Sequence, residues 1–222
     1  MCQATRDLII IAFFFLLRIS EYTPKSKANQ RTIPLQKKDF QLWKGPDPIS
    51  RQAPLDVMLT ADAVSICLEN QKNGVKAQGL HLPSTGLPMD PVTATARRLD
   101  NLRNAPDHTG IYVFYNEDGS KGTINDKQIR STITIAATET NLPAKGFPLN
   151  RLGSHSIRAG GAMALYLAGE SEPTIKKLGR WKTDTWQDYI HPAIKAAGRA
   201  RSQLTERMIT CTLRFTNLAV IH

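Results

Sequence analysis

The sequence predicts an α+β domain, mostly helical, with one small antiparallel sheet. Three observations lead there. Residues 36–83 read as β-rich, with Val64, Ile66 and Leu68 alternating ahead of the hairpin dipeptide Asn73-Gly74. Beyond Asp90, helix caps and stops recur at helical spacing. The 222 residues, 41% hydrophobic and 22% charged, are enough for one continuous domain with a buried core, and they contain no internal repeat or low-complexity tract.

Taken in order, the first helix is expected over residues 5–22, stopping before Pro24. Its apolar run, residues 8–17 (LIIIAFFFLL), has about half the ~20 residues that a membrane span requires. Arg18, Glu21 and Lys25 then stand where a signal peptide would carry small residues for cleavage, so a buried core helix is the better fit. Residues 39–44 form a candidate strand. A two-residue turn at Asn73-Gly74 would pair Leu68 with Gly79 and bury little, so a bulge or wider loop is expected, with the register open.

Asp90-Pro91 is a cap followed by a favoured first helical residue, and Val92, Ala96 and Leu99 share one face. Residues 111–115 form a short β-type run closed by the turn-rich NEDGS. Asn125 is expected to cap a helix reaching about Thr140 and ended by Pro143. Ser154 is expected to cap another reaching Leu167, with Gly169 as its stop. Ser171 and Gly179 bracket a short helix, and Thr183 caps the one that carries Tyr189. The segment from residue 193 to about 208 reads as helical and basic. The domain is thus expected to span residues 1–222, with a core over about 5–192 and a tail over 193–222.

The charge balance is basic: 29 Lys+Arg against 19 Asp+Glu give +10, and the pI is about 9.7. Such a balance points to a polyanionic partner, nucleic acid first and an anionic membrane surface second. Cys2, Cys67 and Cys211 are odd in number and far apart, which argues against a secreted disulfide framework and for an intracellular chain. They lack metal-ligand spacing, and no cofactor motif is present.

Several residues carry possible chemistry, each beside a plainer explanation. Arg18 ends the apolar helix, with Glu21 a turn further on. The pair is either an ion pair at a helix end or a guanidinium waiting for a ligand. His155 and Arg158, three apart in SHSIRAGGA, fall in the first turns of a helix, where backbone N–H groups and the dipole favour an anion. Polar residues at a helix start are also common. Lys72 stands at the hairpin tip, where lysines are usually solvated, and Trp181 and Tyr189 by themselves suit core packing.

In order, LLRISEYT, LENQKNG, SHSIRAGGAMALYLAG, LGRW and DYIH resemble the signature of the tyrosine recombinase (phage integrase) family. Arg18, Glu21, Lys72, His155, Arg158, Trp181 and Tyr189 each match a position of that pattern. The stretch GRWKTDTWQDYIH is similar to recombinases of mobile elements, including eukaryotic ones, more than to bacterial enzymes with Leu-Gly-His.

The resemblance implies the fold of DNA breaking-rejoining enzymes and double-stranded DNA as partner. It also implies a site-specific recombinase or integrase that works through a covalent 3′-phosphotyrosine intermediate at Tyr189. Arg18 and Arg158 would neutralise the phosphate and His155 would handle the proton of the phenol. Lys72 would protonate the leaving 5′-oxygen, Trp181 would hydrogen-bond or pack beside the phosphate, and Glu21 would orient Arg18 or His155. No cofactor or metal is implied. Tyr22, Tyr112, Tyr115 and Tyr166 compete for the nucleophile's role, but only Tyr189 stands downstream of Trp181 in the family order. Tyr166, flanked by Leu165 and Leu167, is expected to pack.

Only 17 residues precede Arg18, so the helical domain that family members carry ahead of the catalytic one is expected to be absent here. The tail, with Arg199, Arg201, Arg207 and Arg214, is either an oligomerisation segment on DNA or a solvated basic helix. The expected compartment is the nucleus in a eukaryote and the cytoplasm in a bacterium or phage. Competing readings are a type IB topoisomerase, which is similar in its Arg/Lys/Arg/Tyr core, a non-catalytic DNA-binding remnant of a mobile element, and a membrane-surface protein.

Overall fold

A computed structural model describes residues 3–24, 32–70 and 76–190. Within them the chain divides into two compact units. One takes residues 3–11 and 19–129, the other residues 12–18 and 130–190. Among the described residues helix and strand are mixed, and all strand pairing is antiparallel.

In the first unit, strands β1 (Phe40–Lys44), β2 (Asp47–Ile49), β3 (Ala63–Asn70) and β4 (Lys76–Pro83) form a sheet in the order β2-β1-β3-β4. The expected alternation is present: Phe40, Leu42, Val64, Ile66, Leu68, Leu80 and Leu82 are buried on one face. Leu68 lies opposite Gln78 rather than Gly79, one residue away from a two-residue turn. The connection itself, residues 71–75, lies outside the described residues. After the short helix α3 (Leu55–Met58), helix α4 (Pro91–Asn101) packs on this sheet, and the Thr93 N–H donates to the Asp90 carboxylate at 2.7 Å to cap it.

A second, two-stranded sheet pairs β5 (Val113–Tyr115) with β6 (Lys121–Thr123). The sequence led us to expect a single sheet. The NEDGS turn instead folds back on itself, with the Asn116 N–H donating to Ser120 O at 2.9 Å and Gly119 at φ +79°.

The outer face of the larger sheet carries a small polar network. Trp43 Nε1 donates to Ser65 Oγ at 2.8 Å, and Ser65 Oγ lies 2.9 Å from His81 Nδ1. Burial pushes the His81 imidazole below its ordinary pKa, although Asp62 pulls the other way. An unfolded chain then takes up the proton first, so the stability that neutral His81 contributes is present above about pH 6.5 and is lost as pH falls below it. Urea midpoints at pH 7.5 and 5.5 are expected to fall further for the starting protein than for His81→Gln. Equal losses would exclude this origin.

The first helix differs from expectation. Helix α1 (Gln3–Phe14) ends early, Leu16 adopts a left-handed φ of +49°, and a separate turn, α2 (Ile19–Tyr22), follows. The predicted single helix over 5–22 is therefore broken ahead of Arg18. Tyr22 is fully buried and its hydroxyl has no hydrogen-bond partner among the described residues. Burial, with Asp126 adding to it, pushes the Tyr22 phenol well above its ordinary pKa. An unsatisfied buried hydroxyl is costly, so Tyr22→Phe is expected to raise unfolding stability by about 1 kcal/mol in chemical denaturation. A loss of stability would mean that the hydroxyl does have a partner.

Helix α5 (Asp126–Glu139) begins at the expected cap. The Gln128 N–H donates to Asn125 Oδ1 at 3.0 Å, and the Asn125 N–H donates to Gln128 Oε1 at 2.9 Å. The second unit then holds helices α6 (Ser154–Leu167) and α7 (Glu172–Gly179). The cap of α6 is Gly153, not Ser154; the Gly153 N–H donates to Ser156 Oγ at 3.0 Å and Ser154 becomes the first helical residue. Gly169 at φ +82° stops α6, and the Ser171 hydroxyl accepts from Thr174 N–H to cap α7. Thr183 precedes a 3-10 turn, Asp184–Trp186, which runs on into helical residues 187–190. The basic segment from residue 193 lies outside the described residues.

Candidate active site

The second unit brings three of the sequence-derived residues into direct contact. Arg158, on the second turn of α6, lays its guanidinium carbon 4.3 Å from the centre of the Trp181 ring. Trp181 in turn lies 5.7 Å, centroid to centroid and tilted by 48°, from the ring of Tyr189. The result is a guanidinium–indole–phenol stack, a geometry in which the ring quadrupole attracts the cation. Trp181 and Tyr189 are both half-buried.

Arg158 is 2% exposed. Its Nη1 donates to the Leu16 carbonyl and its Nη2 to the Gly179 carbonyl, bonds that hold the fork in one orientation. Leu16 lies two residues ahead of Arg18, so Arg158 also anchors the segment that carries Arg18. Arg18 is half-buried and belongs to this unit; Glu21 belongs to the other, where its side chain is 1% exposed. His155 sits one helical turn before Arg158 and is exposed. Lys72 lies outside the described residues.

The competing tyrosines sort by environment. Tyr22 is enclosed, and Tyr112 and Tyr115 are half-buried in or beside β5. Tyr166 is 41% exposed, against the packed position expected from its leucine neighbours, though its ring lies 6.4 Å from that of Trp186. A side chain's neighbours in sequence do not share its face on a helix, which is why that inference failed.

Three residues to which the sequence reading gave no part in the site hold the arrangement together. A Cβ on Gly161 would meet Phe13 O at 2.5 Å and Leu16 Cδ2 at 2.4 Å, so only glycine lets α6 approach the turn after α1. A Cβ on Gly179 would fall 1.5 Å from Trp181 Cζ3, so the indole occupies the space that a side chain there would take. Arg180 Nη1 donates to Phe15 O at 3.1 Å and its Nη2 to Leu16 O at 3.0 Å. For Gly161 a signal exists in the sequence, because glycine inside a helical pattern usually has a packing reason.

Chemically, the cluster offers a fixed cation, an indole and a phenol side by side, with an imidazole a turn away. Among the described residues no group of three His, Cys, Asp or Glu side chains is placed to hold a metal ion, and no helix is long and apolar enough to cross a membrane. Fold and site together define a mixed helix-and-strand protein with an arginine–tryptophan–tyrosine stack in its C-terminal half. No protein-family model matches the chain, and no curated protein matches it.

Proposed function

We propose that this chain is a tyrosine recombinase that cleaves and rejoins DNA through a transient bond between Tyr189 and a 3′-phosphate. The observation that carries the reading is the contact of Arg158 with Trp181 and of Trp181 with Tyr189, three residues of the family order that are separated in sequence. The basic balance of +10 fits a DNA partner.

In this reaction the Tyr189 oxygen attacks phosphorus, the bond to the 5′-oxygen breaks, and that oxygen leaves as a hydroxyl after taking up a proton. The energy of the broken ester is kept in the phosphotyrosine, so reversal with a new 5′-hydroxyl reseals a strand without ATP. Attack concentrates charge on the non-bridging oxygens. Arg158 answers it with a guanidinium that is already oriented and buried, where its field on an anion is stronger than in water. Arg18 is the second cation. A phenol ionises near pH 10, so proton removal needs a base, a role for the exposed His155. Lys72 protonates the leaving oxygen, Trp181 keeps Arg158 and Tyr189 in register, and Glu21 orients Arg18 or His155.

The test is a nicked suicide duplex that traps the covalent step, followed by a denaturing gel and peptide mapping. The expected product is a DNA-linked peptide containing Tyr189. Absence of any linked species across a range of duplexes, or linkage at another residue, would overturn the reading.

A further inference from the structure

Arg180 matches no position of the family order, yet the turn beside the stack is built around it. Its backbone is left-handed, at φ +58° and ψ +38°, a conformation in which the Cβ of any residue but glycine crowds the following carbonyl oxygen. Leu16, whose carbonyl it holds, is left-handed as well. Strain of this kind persists only where the surroundings over-determine it. Here they do so with charge-assisted bonds: Arg180 binds the carbonyls of Phe15 and Leu16, and Arg158 shares the Leu16 oxygen. Glycine would take this backbone at lower cost, but the chain has an arginine whose side chain is 5% exposed. The oxygen on which both guanidiniums converge stands two residues before Arg18, and Arg180 stands one residue before Trp181.

We infer that Arg180 is a positioning residue, which ties the segment bearing Arg18 to the segment bearing Trp181. Through Phe15 and Leu16 it sets the backbone from which Arg18 departs. Through its own left-handed backbone it delivers Trp181 onto Arg158. The inference rests on the proposed reaction in so far as those side chains act on a phosphate.

The substitution that tests it is Arg180→Gly, because glycine tolerates the backbone while the guanidinium and its bonds to Phe15 and Leu16 are lost. Single-turnover cleavage of the suicide duplex at saturating protein is expected to slow about a hundredfold, the usual effect of a small misplacement at a reacting centre. DNA affinity is expected to stay within about threefold, since phosphate contacts dominate it. Added methylguanidinium is expected to restore about tenfold of the lost rate by refilling the site, whereas Arg180→Lys, a point charge without a fork, is not expected to replace the lost pair of bonds. A rate within about threefold of the starting protein, or a loss that methylguanidinium does not relieve, overturns the inference, because a misplaced centre costs far more and a refilled fork regains it.

Should the starting protein form no adduct, the proposed reaction fails while the positioning role remains open to amide hydrogen exchange. Arg180→Gly is then expected to speed exchange at Leu16, Leu17 and Arg18 at least about tenfold, with Ile66 in β3 unchanged. Unchanged exchange at those three amides overturns the role.

Discussion

Under the proposed reaction, replacing Tyr189 by phenylalanine is expected to abolish the covalent protein–DNA adduct and to leave DNA affinity within about threefold of its starting value, because such affinity rests mainly on contacts of cationic side chains with phosphates. The change removes one oxygen and keeps the ring that lies against Trp181, so the stack with Arg158 should survive. Loss of chemistry with retained binding would then report the nucleophile itself. Tyr166 supplies the necessary comparison, because it is the more exposed phenol of the same unit. Tyr166→Phe is expected to form the adduct at an undiminished rate. An adduct that persists in Tyr189→Phe and disappears in Tyr166→Phe would transfer the role to the other tyrosine.

The second large effect is expected from Gly179→Ala. The added Cβ would fall 1.5 Å from Cζ3 and 1.9 Å from Cε3 of Trp181, distances no packed pair of carbons tolerates. The backbone at 179 is helical and accepts alanine, so the indole must move instead. Moving it removes the contact with the Arg158 guanidinium, worth about 2 kcal/mol when desolvated, together with the packing against Tyr189. A stability loss of roughly 2–4 kcal/mol is expected, as for other overpacked or vacated core positions. It should appear in urea denaturation alongside a marked fall in adduct formation. Gly79→Ala is the control: the space around that Cβ is open, so its effect should stay within about 0.5 kcal/mol. If Gly179→Ala matches Gly79→Ala in both stability and adduct formation, Trp181 does not depend on that space.

Local signals were the legible ones. Asp90 with Thr93, Asn125 with Gln128, and Ser171 with Thr174 are caps that close within three residues, and each is found where the sequence put it. The alternation of Val64, Ile66 and Leu68 gave the buried face of β3 correctly, because period two leaves no other face for them. Two of the departures from expectation in the helices differ in origin. Gly153 in place of Ser154 is a one-residue slip between neighbouring cap candidates. The break after Phe14 is different in origin, because residues 14–18 hold no glycine or proline and nothing nearby predicts a stop.

By itself, then, the amino-acid order determined the mixed class, most helix starts, the larger sheet, and the short set of side chains with chemistry to offer. It did so because caps, turns and alternation are settled between residues a few places apart. Tertiary structure alone decided that the first helix ends ahead of Arg18. The carbonyls released there are taken by Arg158 and Arg180, more than a hundred residues away in the chain. It also decided that two glycines must stay small so that α6 can reach the turn after α1 and an indole can lie on a guanidinium. Those facts depend on which distant backbone oxygen meets which side chain, and only folding brings the two together.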